Sequence, residues 1–164
     1  MFAKSVYENR RKGLRGKIET GILLFMGNGY VGRNYSDNTY HFRQDSSFLY
    51  FFGLDQDNLC GIIDLDEGKD IIFGDELSVE YIVWMGAQKS IKDKSSEVGV
   101  EDTRPKNKVQ EYIKSAMKAG RKIHLLPPYR DANKIYLADL LETSIPGLET
   151  VSYTHLTLPT NREV

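Results

Sequence analysis

Three groups of residues have the types and spacing to suggest chemistry. Gly27, Gly29 and Gly32 form the string GxGxxG directly after an apolar run, and in a dinucleotide site such glycines let a helix N-terminus approach a pyrophosphate. That site needs a helix to begin at the loop. The residues that follow, Arg33-Asn34-Tyr35-Ser36-Asp37-Asn38-Thr39, are turn formers rather than helix formers. A plain glycine-rich loop is therefore the first reading and a nucleotide-binding loop the alternative.

Asp64, Asp66 and Glu67 are the second group, carboxylates close enough in sequence to share a cation. They flank Gly68 between two apolar runs, where Asp, Glu and Gly suit a turn, and the ligand spacing of a calcium loop is absent. His41, His124 and His155 stand apart, with no HxxxH or HExxH pairing to hold zinc. Cys60 has no catalytic signature around it, and no GxSxG elbow occurs. No self-sufficient catalytic set is legible, and no metal or cofactor is expected to be held by this chain.

Arg43, Gln44 and Asp45 are the third group. Placed before an aromatic run, they are expected to fix the start of a strand through charge-assisted bonds to backbone and to each other. A structural role is the first reading for Arg43 and Asp45, with a part in an interface or in substrate access as the alternative. For Trp84 both readings stand equally, since exposed Trp and Arg are typical interface anchors.

These groups must be positioned by regular elements, and the periodicity supplies them. Ser5 and Glu8 have the spacing of a capping box, predicting a helix over residues 6–18 with Val6, Arg10, Leu14 and Ile18 on its inner face and the other basic residues in solvent. Ile22 to Met26 reads as a buried strand between glycines. Phe48 to Phe52 is expected as an aromatic strand ended by Gly53, and Leu59 to Leu65 with Lys69 to Phe73 as a hairpin. Ser78 is placed to cap a short helix through Trp84, the charged stretch 90–108 reads as loop, and helical spacing returns at Val109, Tyr112, Ile113, Ala116 and Met117 up to Gly120. Lys122 to Leu126 is a further strand, stopped by Pro127-Pro128. Asp131 then caps a helix carrying Ile135, Leu137, Leu140 and Leu141. A hairpin mixed with helix-separated strands predicts an α/β fold, a mixed sheet of five or six strands flanked by helices.

Composition bounds the function classes. The 164 residues are 40% hydrophobic and 27% charged, which suits one domain with a real core. Lys plus Arg is 22 against 23 acidic residues, so there is no global field to draw in nucleic acid or an anionic membrane. One cysteine excludes an internal disulfide and fits a reducing compartment. With neither a secretory signal nor an apolar run near the roughly 18 residues of a membrane span, the protein is expected to be cytoplasmic. Residues 151–164, VSYTHLTLPTNREV, break the pattern of residues 1–150. They are similar to a translated cloning end and are expected to be a non-native or disordered tail.

The run Phe42-Arg43-Gln44-Asp45-Ser46-Ser47-Phe48-Leu49-Tyr50-Phe51-Phe52-Gly53 resembles the N-terminal domain of Xaa-Pro aminopeptidases, relatives of prolidase and creatinase. The likeness extends from about residue 4 to 148 through the opening helix and strand, Ile62-Ile63-Asp64, and the turn Tyr81-Ile82-Val83-Trp84-Met85-Gly86. It implies a non-catalytic domain that serves oligomerisation and substrate access. Its partner would be its own C-terminal domain, in which two Asp, one His and two Glu hold two divalent ions, usually manganese. The substrate implied is a peptide with proline second. None of those ligands matches a residue of this chain, so by the resemblance it is catalytically silent alone. A free-standing interaction or dimerisation module stays as the alternative.

Overall fold

A computed structural model describes residues 2–76, 86 and 89–148. Trp84, the helix expected over 78–84 and the stretch 151–164 lie outside the described residues.

The sheet is mixed, in the order β4-β3-β2-β1-β5. Its centre is β1 (Ile22–Met26), β2 (Cys60–Asp64) and β3 (Lys69–Phe73), antiparallel neighbours in register Leu24↔Ile62 and Ile62↔Ile71. The short β5 (Ile123–Leu125) and β4 (Asp102–Arg104) add parallel edges against β1 and β3. Strands covered on both faces read as continuous apolar runs, which is why ILLFM and CGIID show little alternation in sequence. The pleat nevertheless divides them. Leu23, Phe25, Ile63 and Ile72 face one core under α1 (Lys4–Arg15), α2 (Ser46–Phe52) and α3 (Ile91–Ser96). Ile22, Leu24, Ile62, Ile71 and Phe73 face a second core under α4 (Lys108–Lys118) and α5 (Asp131–Leu140). Full burial of Phe48, Phe52 and Phe73 contributes about 1.5–3 kcal/mol each.

The segment expected as an aromatic strand is helix α2. Asp45 Oδ1 accepts from the backbone N–H groups of Ser47 and Phe48 at 2.9 Å, and Gly53 ends the helix in the left-handed region at φ 68°. Phe48, Phe51 and Phe52 are buried while Leu49 and Tyr50 are exposed, the i, i+3, i+4 pattern of a helix. Aromatic β-propensity lost to the two caps and the core-facing period. Phe52 lies over β2 so closely that a Cβ on Gly61 would stand 2.5 Å from its ring.

Other boundaries also move. The first helix starts at Lys4 with Ala3 as an uncapped N-cap, so Ser5 lies inside it and the Ser5–Glu8 box does not form. Its buried stripe is Tyr7, Arg11 and Leu14. Arg11, expected in solvent, is fully buried: Nε donates to Asp70 Oδ2 at 2.7 Å, Nη1 to the Phe51 carbonyl at 2.8 Å and Nη2 to the Val98 carbonyl at 2.9 Å. The charged stretch expected as loop holds both α3, capped by Ser90, and the three-residue β4, which is too short to show a period. Asp131 is the first residue of α5 rather than its cap, and Ile135 points to solvent, 62% exposed, while Leu137 and Leu140 are buried.

Candidate functional site

The parallel strands β1 and β5 end side by side, and in α/β sheets the carboxyl ends of parallel strands are where ligand and partner loops gather. At this end the chain leaves β1 through Gly27, whose N–H donates to the Leu59 carbonyl at 2.9 Å. A Cβ there would lie 2.7 Å from that oxygen, so only glycine fits.

Asn28 is the buried hub of the loop. Its N–H donates to Gln44 Oε1 at 2.8 Å, and its Nδ2 donates to the Arg43 carbonyl at 2.9 Å and to the Tyr129 hydroxyl at 3.2 Å. Its own carbonyl accepts from Asn58 N–H at 2.9 Å. Gln44 saturates its amide: Oε1 accepts from Asn28 and Asp45 N–H, while Nε2 donates to the carbonyls of Leu54 and Gln56. Buried amides satisfied in this way lock loop, helix start and β2 approach into one arrangement. The Arg-Gln-Asp group therefore does fix the start of an element, but of a helix rather than a strand, and through Gln44 and Asp45. Arg43 contributes its carbonyl. Its side chain is exposed and makes no hydrogen bond or ion pair among the described residues.

Above this rigid base stands a hairpin-like excursion. Arg33 N–H donates to the Asn38 carbonyl at 2.8 Å and Tyr40 N–H to the Val31 carbonyl at 2.9 Å. Tyr30, Val31, Tyr35, Tyr40 and Tyr129 are exposed, Arg33 stacks 4.9 Å from the Tyr40 ring centroid, and Arg130 donates to the Gly29 carbonyl. Aromatics with arginines on a buried polar scaffold have the composition of an interaction surface. The sequence reading missed Asn28, Tyr129 and these tyrosines. An asparagine between two glycines after a strand was a signal for the first, but Tyr129 joins only because β5 runs beside β1.

The nucleotide-loop alternative at Gly27, Gly29 and Gly32 meets a geometric obstacle. No helix begins at that loop; the next is α2, whose N-terminal N–H groups are already taken by Asp45.

The carboxylates near Gly68 are not a free cluster. Asp64 closes β2, fully buried, and accepts from the Tyr112 hydroxyl, from Arg121 Nη2 and from Glu67 N–H at 2.8 Å. Arg121 Nε reaches Asp66 Oδ2 at 2.6 Å, and Asp66 Oδ1 accepts from Gly21 N–H at 3.0 Å. Burial alone would raise the Asp64 carboxyl, but bonds from Arg121 and Tyr112 hold it below the ordinary carboxylate value. This network staples the hairpin to β1 and α4. Among the described residues no three His, Cys, Asp or Glu side chains come together in a way that could hold a metal. Cys60 is fully buried, and burial pushes its thiol up to about 12, which suits a small hydrophobe rather than a nucleophile.

Comparison with known proteins matches this fold. Residues 7–125 fit the family model of the aminopeptidase P N-terminal domain. The Xaa-Pro dipeptidase of Rattus norvegicus is 28% identical over 101 residues, covering 61% of this chain and 20% of that protein. The human Xaa-Pro dipeptidase is 29% identical over 86 residues, covering 52% of this chain and 17% of its own length. The chain thus spans about a fifth of the curated relatives it matches. Among solved structures, Escherichia coli aminopeptidase P in its low-pH form superposes with TM-score 0.69 at 17% identity, over 87% of this chain and 33% of that one. Pseudomonas aeruginosa aminopeptidase PepP gives 0.70 at 22% identity, over 86% and 32%. With the family model matched across well over half of its length, the chain belongs to the aminopeptidase P N-terminal domain family.

Proposed function

We propose that this chain is the non-catalytic N-terminal domain of a metal-dependent Xaa-Pro aminopeptidase, and that its loop surface at the ends of β1 and β5 serves oligomerisation and substrate access. One observation carries the reading. The Arg-Gln-Asp motif that carries the family resemblance builds the scaffold beneath the exposed aromatics and Arg43: Gln44 and Asp45 are consumed internally, while Arg43 projects outward.

The reaction would belong to the C-terminal partner domain, where two divalent ions, manganese by family resemblance, would supply an activated water for cleavage before proline. Asp64 and Asp66 do not fit such a site, because both are bound to Arg121. No catalytic step is assigned to them. A peptide with proline second is the substrate proposed for the whole enzyme, and the lone buried Cys60 fits a cytoplasmic setting. Since the curated relatives are Xaa-Pro dipeptidases, restriction to dipeptides is the second reading of the parent.

The test uses the full-length parent with manganese, assayed on an Xaa-Pro dipeptide and on longer peptides with proline second. Arg43→Ala and Trp84→Ala are each expected to lower kcat/KM on the preferred peptide by about tenfold or to shift the oligomer mass, with the melting temperature held within a few degrees. Unchanged kinetics and mass in both variants would overturn the access and oligomerisation roles. A parent with no Xaa-Pro hydrolysis would overturn the enzyme reading itself.

A further inference from the structure

Two surfaces of the domain are left open by its own packing, and their chemistry is opposite. The first is a crevice of about 630 Å³ between α1 and α2, lined by Arg10, Gly13, Leu14, Lys17, Tyr50 and Phe51 among others, with no carboxylate in its lining. The Arg10 guanidinium lies 4.0 Å from the Tyr50 ring centroid and donates to the Tyr50 carbonyl at 2.9 Å. Neither Arg10 nor Lys17 has an ion pair among the described residues, so the crevice is a site of net positive charge on an apolar floor. Gly13 adds to this. A Cβ at that position would meet nothing within 4 Å. Alanine would suit the helix better, so the bare backbone does nothing for this fold, but it does permit close approach by another chain.

The second surface is on α5. Asp131, Ile135 and Asp139 recur at i, i+4 and i+8, and all three are exposed. They form one stripe of carboxylate, isoleucine and carboxylate, about 12 Å long at the helical rise. The crevice cations, Arg10 on α1 and Lys17 just past its end, are seven residues apart in sequence. Ile135 is 62% exposed between its acids. Lys134 pairs with Asp131 at 3.1 Å, weakly because that carboxylate side chain is 90% exposed, and Lys114, paired to Glu142, acts on Asp139 only through space.

We propose that the α1–α2 crevice of one molecule receives α5 of a second copy of this chain, with Ile135 seated over Gly13 and Leu14 and the two aspartates facing Arg10 and Lys17. Both halves of the match are carried by the chain itself, which is what selects a second copy over a foreign partner. The contact is heterologous: each molecule offers a crevice to one neighbour and a helix to another. Association therefore grows with concentration beyond a dimer unless the angle closes a ring. The inference is independent of the peptidase reading.

Sedimentation velocity on the 164-residue chain, from micromolar to millimolar concentration and at low and high salt, tests it. The average mass is expected to rise with concentration and to fall with salt. Gly13→Leu fills the crevice floor where space is open, and Ile135→Lys removes the apolar anchor from an exposed position. Each variant alone should associate at least about tenfold more weakly while melting within a few degrees of the parent chain. Mixed together, the two should form a one-to-one dimer and nothing larger, because one keeps the helix and the other the crevice. Lys17→Glu and Asp139→Lys repeat the test without altering packing: each alone weakens association, and the double exchange restores it. A wild-type chain that stays monomeric throughout, a single variant that associates like wild type, or a variant mixture that stays monomeric would each overturn the proposal.

Discussion

Asp64 and Arg121 show how a single residue can look like chemistry and act as structure. A carboxylate beside two others in sequence suggests a cation site, yet Asp64 is wholly enclosed and its oxygens are taken by Arg121, Tyr112 and the Glu67 N–H. Removing the guanidinium would leave a buried charge with hydrogen bonds from Tyr112 and Glu67 N–H but without its counter-charge. Arg121→Ala is expected to cost about 3 kcal/mol, measured by urea denaturation at neutral pH. The pH dependence follows in sign. Because the folded state holds the Asp64 carboxyl below its unfolded value, its stabilisation is present above about pH 4 and is lost as pH falls through the lowered folded value. Asp64→Asn should therefore lose stability at neutral pH and show a shallower decline into acid than the wild type. Parallel acid limbs would mean that another carboxylate dominates.

At the scale of the element, α2 depends on three features at once: the Asp45 cap, the left-handed Gly53 and the seat of Phe52 on Gly61. Asp45→Ala should cost about 1 kcal/mol, the usual value of an N-cap. Gly61→Ala should cost more, about 1–3 kcal/mol, since its methyl would stand 2.5 Å from the Phe52 ring and the core would have to shift. If thermal or urea melts rank these two variants the other way, the helix is held by its cap rather than by its seat on the sheet. The same element shows why local reading erred. Phe48-Leu49-Tyr50-Phe51-Phe52 has strong β-propensity, which masks the helix signals that flank it, Asp45 before the run and Gly53 just after it.

For the molecule as a whole, the two cores draw on opposite faces of the same sheet, and β1, β2 and β3 contribute buried residues to both. Native-state hydrogen exchange should accordingly be slowest at the amides of these three strands and faster at β4 and β5, which have three residues each at the edges. Slowest exchange in α5 or β4 would place the stable unit elsewhere. Among the described residues no helix is long and apolar enough to cross a membrane.

The sequence by itself determined the α/β class, β1, the β2–β3 hairpin, the helix over Val109–Met117 and the family, because each rests on a local period, a turn glycine or an ordered motif. Only the tertiary structure decided what the polar residues do. Arg11 in a basic run, Asp64 at a turn and Asn28 among glycines all became buried hubs, with partners up to 105 residues away. Backbone periodicity is written into neighbouring residues and can be read along the chain. A buried ion pair or amide depends on which distant groups the fold brings within hydrogen-bonding distance, and desolvation then decides whether a charged side chain is a site or a staple.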